Sequence, residues 1–265
     1  MTSERRIEVK VEVPATPAEV WAAIATGPGI TAWFMPADVE GAVGGSVVHR
    51  PAPDMPSTGT VTAYDAPHRF AYEEPAPIAE GEEPARPIAT EFLVEARGGG
   101  TCVVRIVQSG FGEGDAWDRA IESFTTGWKQ ALLSLRLYLT RFRGESAAPI
   151  TVATTAPGPK DAVWSALARA LGVPAAPERG QRITITAAGA PGISGTVEEA
   201  ADGILTLALD EPARGLGLIG VGGIGDDEVF VTIRAQLFGP GAAQVAARER
   251  DRWATWLSQR MAPAR

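Results

Sequence analysis

Few side chains in this sequence are equipped for proton, metal or covalent chemistry. His49 and His68 are the only histidines and Cys102 the only cysteine. A metal centre or a general base needs partners at ligand spacing, and neither histidine has them in the sequence. His49 ends a strand-like run at a proline-rich loop and His68 sits beside Pro67, so both read as surface or turn histidines. The second half has no histidine, so no histidine-based triad can stand there alone. Cys102 opens an apolar run after a triple glycine. An isolated strand cysteine of this kind is an inert small hydrophobe, whereas a reactive thiol needs an electropositive, partly exposed site.

Arg105 stands out among Val103, Val104, Ile106 and Val107. Either it pairs with Glu91 or Glu95 across a hairpin, or it reaches into a cavity and holds a carboxylate. Gly215-Leu-Gly217-Leu-Ile-Gly220 spells the dinucleotide-binding pattern, but more glycines and an apolar run over 229–237 follow it. That pattern requires a helix after it, so the segment reads as a small-residue strand and turn. Asp226-Asp227-Glu228 lacks calcium-loop spacing and reads as a solvated acidic turn. No catalytic dyad, metal site or cofactor is therefore expected.

What remains is apolar and aromatic. Trp33, Phe34, Phe70, Tyr72, Phe92, Trp117, Phe124 and Trp128 recur through the first half. Aromatics with a few polar groups suit a small-molecule pocket, and large aromatics equally fill cores. Which of the two they do depends on the elements that carry them.

Those elements can be read from periodicity. Ile7, Val9, Val11 and Val13 alternate with Arg6, Glu8, Lys10 and Glu12, the period of a half-buried strand. Thr16-Pro17-Ala18-Glu19 then supplies an N-cap, a proline at the first helical position and a capping box. Strands follow at about 45–50, 58–64, 69–74, 88–96 and 101–109, with turns at Gly44-Gly45, Asp65-Ala-Pro67 and Gly98-Gly99-Gly100. The acidic stretch Pro75 to Pro87, with four prolines, reads as an exposed loop. A helix over about 115–143 carries Trp117, Ile121, Phe124, Trp128, Leu132, Leu135, Tyr138 and Phe142 as one apolar stripe. Gly127 interrupts it where a backbone or a ligand can approach closely.

The same grammar returns near residue 150. IEVKVEVPATPAEVWAAIA aligns with ITVATTAPGPKDAVWSALA, Gly59-Thr-Val61 with Gly195-Thr-Val197, and Glu74-Pro75 with Glu211-Pro212. Each half ends in a helix, the second carrying Val245, Trp253, Trp256, Leu257 and Met261. A period this long indicates duplicated domains, here 1–145 and 149–265, separated by a short polar and small-residue stretch.

Composition bounds the rest. The chain has 265 residues, 45% hydrophobic and 21% charged, ordinary values for a globular protein with a sizeable core. One cysteine excludes an intramolecular disulfide and fits a reducing, cytoplasmic setting. The N-terminus has no apolar h-region, and no apolar run approaches the roughly 18 residues of a membrane span. Net charge is −8, most of it in the first half, which argues against nucleic acid and anionic membrane as partners.

Strand, helix pair, antiparallel strands and long closing helix is the order of the START-like, or SRPBCC, superfamily. The first half resembles the branch named for the C-terminal domain of the activator of Hsp90 ATPase. The resemblance rests on Pro17-Ala-Glu19-Val-Trp21, Trp33-Phe34-Met35-Pro36, Val43-Gly44-Gly45, Gly59-Thr-Val61, Pro67-His-Arg69-Phe70, Gln108-Ser109-Gly110-Phe111 and Gly127-Trp128. It implies an α+β fold of two tandem helix-grip (START/Bet v 1-like) domains, the second degenerate and without the Trp33-Phe34-Met35-Pro36 segment. It also implies a small hydrophobic or aromatic ligand between sheet and closing helix of the first domain. The candidate lining residues are the eight aromatics above and Arg105. Relatives that catalyse cyclisation, and relatives that bind protein partners, leave an enzyme and an interaction module as alternatives.

Overall fold

The computed structural model describes residues 5–52, 55–76, 87–174, 176–223 and 228–261. Most of the expected loop from Pro75 to Pro87 lies outside them, as do Asp226 and Asp227 of the acidic cluster. The chain divides into two compact units, Met1–Glu145 and Ser146–Arg265.

The first unit opens with β1 (Arg6–Val13), whose Ile7, Val9 and Val13 are buried while Arg6, Glu8, Lys10 and Glu12 are exposed. The helix α1 (Pro17–Ile24) starts at a reciprocal cap. Glu19 Oε2 accepts from the Thr16 amide at 2.8 Å, and the Thr16 hydroxyl accepts from the Glu19 amide at 3.4 Å. Arg143 then donates to Glu19 Oε1 at 3.1 Å and to the Pro14 carbonyl at 2.7 Å, tying the end of the unit to its beginning. A short helix α2 (Gly27–Thr31) follows, fastened to α1 by the Trp33 indole N–H, which donates to the Ala23 carbonyl at 3.0 Å.

The strands β2 (Ala37–Val39), β3 (Ser46–Ala52), β4 (Met55–Asp65), β5 (Arg69–Glu74), β6 (Ile88–Arg97) and β7 (Thr101–Ser109) complete an antiparallel sheet. Its order is β1-β7-β6-β5-β4-β3-β2, so the first strand pairs with the last. β2 is the one strand that periodicity does not announce, because three residues are too few to show a period. Gly59 is required where β4 approaches β5, since a Cβ there would meet the Glu73 carbonyl oxygen at 2.5 Å.

The long helix α3 (Asp115–Arg141) packs against β1 and lays Trp117, Trp128, Leu132, Leu135 and Tyr138 inward, all buried. Phe124 and Ile121, in its N-terminal half, are only half-buried. Gly127 is not a point of close approach, because a Cβ built there meets nothing within 4 Å. It stands on the exposed side of the helix, one residue before the buried Trp128.

The second unit repeats the plan with β8 (Ala148–Pro157), α4 (Lys160–Leu171), β9 (Arg182–Ile185), β10 (Ile193–Ala201), β11 (Ile204–Glu211), β12 (Gly215–Gly222), β13 (Glu228–Leu237) and α5 (Ala242–Met261). Its sheet runs β8-β13-β12-β11-β10-β9, and α5 lies against β8 and β13. Among the described residues, nothing between Leu171 and Arg182 replaces α2 and β2. The glycine-rich pattern at 215–220 is strand β12, paired on both sides by β11 and β13. A strand in mid-sheet offers no helix N-terminus to a phosphate. Each unit is thus an α+β helix-grip domain, one antiparallel sheet with a long C-terminal helix.

Hydrogen bonds from Thr16, chiefly from its backbone, and from Arg143 pull the Glu19 carboxyl down from 4.5 to about 2. A carboxyl depressed on folding stabilises the fold above its ordinary value and ceases to do so as pH falls towards 2. Glu19→Gln is therefore expected to shrink the difference in urea midpoint between pH 7 and pH 3.

Candidate functional site

Side chains alternate across a strand, so one phase of each strand faces α3. On β6 that phase is Ile88, Thr90, Phe92 and Val94, and on β7 it is Cys102, Val104, Ile106 and Gln108, all buried. On β5 it is Phe70, Tyr72 and Glu74, and on β3 it is Val47 and His49. Register places Tyr72 opposite Thr90, and Thr90 opposite Gln108. The three polar groups therefore form a row across the strands rather than along one of them.

Two hydrogen bonds tie part of this row to the helix. The Trp128 indole N–H, coming down from α3, donates to Gln108 Oε1 at 3.0 Å. Gln108 Nε2 donates to the Thr90 hydroxyl at 3.1 Å. Tyr72 follows beyond Thr90, its register partner on β5. Burial, with a further push from the Glu74 charge, holds the Tyr72 phenol well above its usual range, so it stays protonated.

Aromatic rings enclose this row. Trp33 stacks on Phe34 and Phe34 on Trp128, both with centroids 5.4 Å apart. Trp128 meets Phe92 edge-on at 5.8 Å, Phe92 stacks on Phe70 at 6.1 Å, and Phe70 leans on Tyr72 at 5.7 Å. His49 lies 5.3 Å from the Tyr72 ring. Its Nδ1 is 3.7 Å from Glu74 Oε2, which also accepts from the Ser57 hydroxyl at 3.2 Å. Trp117 and Phe124 form a separate group around Phe111, each 6.1 Å from it, beside the N-terminal half of α3. Phe34, Phe111 and Phe124 are half-buried, so the aromatic layer reaches solvent at that edge.

Six of the expected lining residues, Trp33, Phe34, Phe70, Tyr72, Phe92 and Trp128, thus form one contiguous layer. Arg105 does not join them. It lies in the outward phase of β7, exposed, with its guanidinium 3.5 Å from Glu8 on β1. It pairs with Glu8 on β1 and not with the expected Glu91 or Glu95, which are held by Arg69 and Arg97. His68 stays in its turn and, with Arg105, borders an open groove of about 640 Å³ on the outer face. His49 is a correction to the expected surface position: it is 6% exposed, because it shares the inward phase of β3 with Val47. Cys102 is buried, and burial raises its thiol pKa, as suits an inert residue. No group of three or more metal-ligating side chains occurs among the described residues.

Glu74, Thr90 and Gln108 were not singled out as site residues from the sequence, and His49 was read as a surface or turn histidine. A signal existed: each is a polar residue in the inward phase of a strand whose other inward residues are apolar.

The second domain shows what the same backbone does without such a row. Val47 pairs with Gly59 as Ile183 pairs with Gly195, so Ile185 takes the place of His49. Val61 pairs with Tyr72 as Val197 pairs with Leu207, and the register then carries Thr90 to Gly217 and Gln108 to Ala235. Ile185, Leu207, Gly217 and Ala235 are all buried, within a core of apolar residues.

Residues 4–137 match the family model described as polyketide cyclase / dehydrase and lipid transport. The chain belongs to that family. The match covers nearly the whole first domain, including every residue of the polar row. Among solved structures, protein MLL2253 from Mesorhizobium loti is 23% identical over 52% of this chain and 98% of its own, with a TM-score of 0.46. DynU16, from the dynemicin biosynthetic locus, is 15% identical over 96% of both chains, with a TM-score of 0.45. The di-domain ARO/CYC BexL from the BE-7585A biosynthetic pathway is 16% identical over 97% of this chain and 95% of its own, with a TM-score of 0.43. At these levels none of the three bears on what this chain does. No curated protein matches the chain.

Gln108 bridges two neighbours, so its loss leaves two polar groups stranded. Gln108→Leu is expected to cost about 1–3 kcal/mol in urea unfolding, the penalty of a buried donor left unmade. Adding Trp128→Phe, which removes the stranded N–H, should recover part of that loss.

Proposed function

We propose that the first domain binds a small hydrophobic or aromatic molecule between its sheet and the N-terminal half of α3. One observation carries this reading: a hydrogen-bonded polar row is built into an aromatic layer whose duplicate elsewhere in the same chain is apolar. Polar groups in a core bring little net stability even when fully paired. The second domain folds with isoleucine, leucine, glycine and alanine at the corresponding places, so the fold does not require them. Apolar walls with a few fixed polar groups are what a small-molecule site needs. The family's description, which spans cyclisation, dehydration and lipid transport, accommodates such a ligand. The half-buried edge at Phe34, Phe111 and Phe124 is the side from which it would enter.

Native mass spectrometry of the purified protein and a thermal-shift screen of aromatic and polyketide-like compounds test this. A co-purified mass or a ligand-induced shift is expected, and Phe34→Ala should abolish the shift in a protein that remains folded. No bound mass and no shift across a broad library would sink the reading.

A second reading, a cyclase- or aromatase-like enzyme using the same space, is favoured by the buried His49 beside Glu74. A carboxylate facing Nδ1 leaves Nε2 as the basic nitrogen, the arrangement of a general base. A bound aryl 1,3-diketone would then exchange its α-protons with deuterated solvent faster than in buffer, and His49→Asn would remove the acceleration. Unaccelerated exchange in the wild-type complex would leave the binding reading alone.

A further inference from the structure

The described strands of the first domain sort their charges by face. Lys10, Arg50, Arg69, Arg97 and Arg105 all lie in the outward phase, away from α3. Arg5, just ahead of β1, is held by Asp118 and by the Gly112 carbonyl. On α3 itself Arg119 and Lys129 are exposed. One strand carboxylate faces inward, that of Glu74, with its side chain 23% exposed. Its Oε2 accepts from the Ser57 hydroxyl at 3.2 Å and lies 3.7 Å from His49 Nδ1. Among the described residues no lysine or arginine lies within ion-pair distance of it, and nothing donates to its Oε1. A carboxylate drawn away from bulk water normally has a cation or a full set of donors.

Glu74 stands at the open end of the aromatic layer. It closes β5 opposite Ile88, the first residue of β6. A Cβ at Gly110 would meet Ile88 at 3.2 Å, so the chain leaving β7 for α3 passes this same end of the sheet. The half-buried Phe111 and Phe124 follow on that path. His49 joins the carboxylate to the rings, 5.3 Å from Tyr72 and 6.1 Å from Phe34, which stacks on Trp128. The second domain has no charge at this place. A Cβ at Gly59 would lie 3.3 Å from Glu74, and one at Gly195 would lie 3.2 Å from Leu209, so the buried Leu209 stands where Glu74 does. The Glu211 that the sequences align with Glu74 falls two residues further on and is exposed, because β10 is bulged.

We propose that the first domain selects an aromatic molecule carrying a protonated amine, whose ammonium group pairs with Glu74 Oε1. This rests on the small-molecule reading above and specifies its ligand class. The ammonium supplies the cation that the strands' inner face lacks. The surrounding rings stack the aromatic part and attract a cation more than a neutral or anionic head group. The acid excess of this half of the chain draws cations towards it and repels anions. A carboxylic acid would meet Glu74 with like charge, and an alcohol would leave that charge unpaired.

The test uses one skeleton with three head groups, 2-naphthylmethylammonium, 2-naphthylmethanol and 2-naphthoate, titrated calorimetrically into the full-length protein and into Glu74→Gln. The ammonium is expected to bind about 5- to 20-fold more tightly than the alcohol, the value of a charge-assisted hydrogen bond reduced by solvent screening. The carboxylate is expected to be the weakest. Glu74→Gln should bring the ammonium down to the affinity of the alcohol. Added salt should weaken the ammonium and not the alcohol, a readout on the wild-type protein that holds whether or not the variant folds. If the alcohol matches the ammonium, if the carboxylate binds best, if salt weakens neither, or if the preference survives in folded Glu74→Gln, the ligand-class inference is overturned while the pocket stands. If none of the three binds, the pocket reading falls and the inference with it.

Discussion

A sheet with one apolar face must cover it, and in the first domain the covering element is also the one that completes the polar row. The Trp128–Gln108 hydrogen bond is where those two requirements meet. It can form only if α3 lies across the sheet at the height of β7, and it orients the amide that donates to Thr90. The fastening further along is different in kind. Arg143 beyond the end of α3 holds Pro14 and Glu19, so the closing helix is anchored to the first strand and first helix of its own domain. Between these two anchors the helix buries Leu132, Leu135 and Tyr138, and ahead of Trp128 its packing loosens to the half-buried Phe124 and Ile121.

The duplication makes the chemistry of the inner face easier to weigh. Both domains share strand order, register and a closing helix, so backbone geometry is common to them. They differ in what the inward phases carry. In the second domain the face is apolar, and its Trp253 and Trp256 meet edge-on at 5.6 Å under the same kind of helix. In the first, four inward positions are occupied by His49, Tyr72, Thr90 and Gln108. A satisfied polar network specifies geometry more than it stabilises, and a half-satisfied one is costly.

Charge is sorted with the same economy. The outer face of the first sheet carries the ion pairs, where solvent screens them and each contributes little to stability. The acid excess of this half follows the same rule: Glu8, Glu12, Glu91 and Glu95 all sit in outward phases. On the inner face of the described strands Glu74 is the carboxylate whose charge reaches Tyr72, adding to the effect of burial.

The sequence by itself determined most of the architecture. Alternation in residues 6–13, the Thr16–Glu19 cap, the turn at Gly98–Gly100 and the three-and-four spacing of 117–142 are local signals, and local backbone preference enforces them. The duplication was visible for the same reason, since equivalent strands and helix starts repeat the same short motifs. Only the tertiary structure decided which side of the sheet Arg105 and His49 face, and that Gln108, Thr90 and Tyr72 lie side by side. Each of those outcomes depends on pairing register between strands that are far apart in the chain. A one-residue shift would have exchanged inner and outer faces. No local pattern encodes that choice; it is made when the apolar phases of β3, β5, β6 and β7 are driven together beneath one helix.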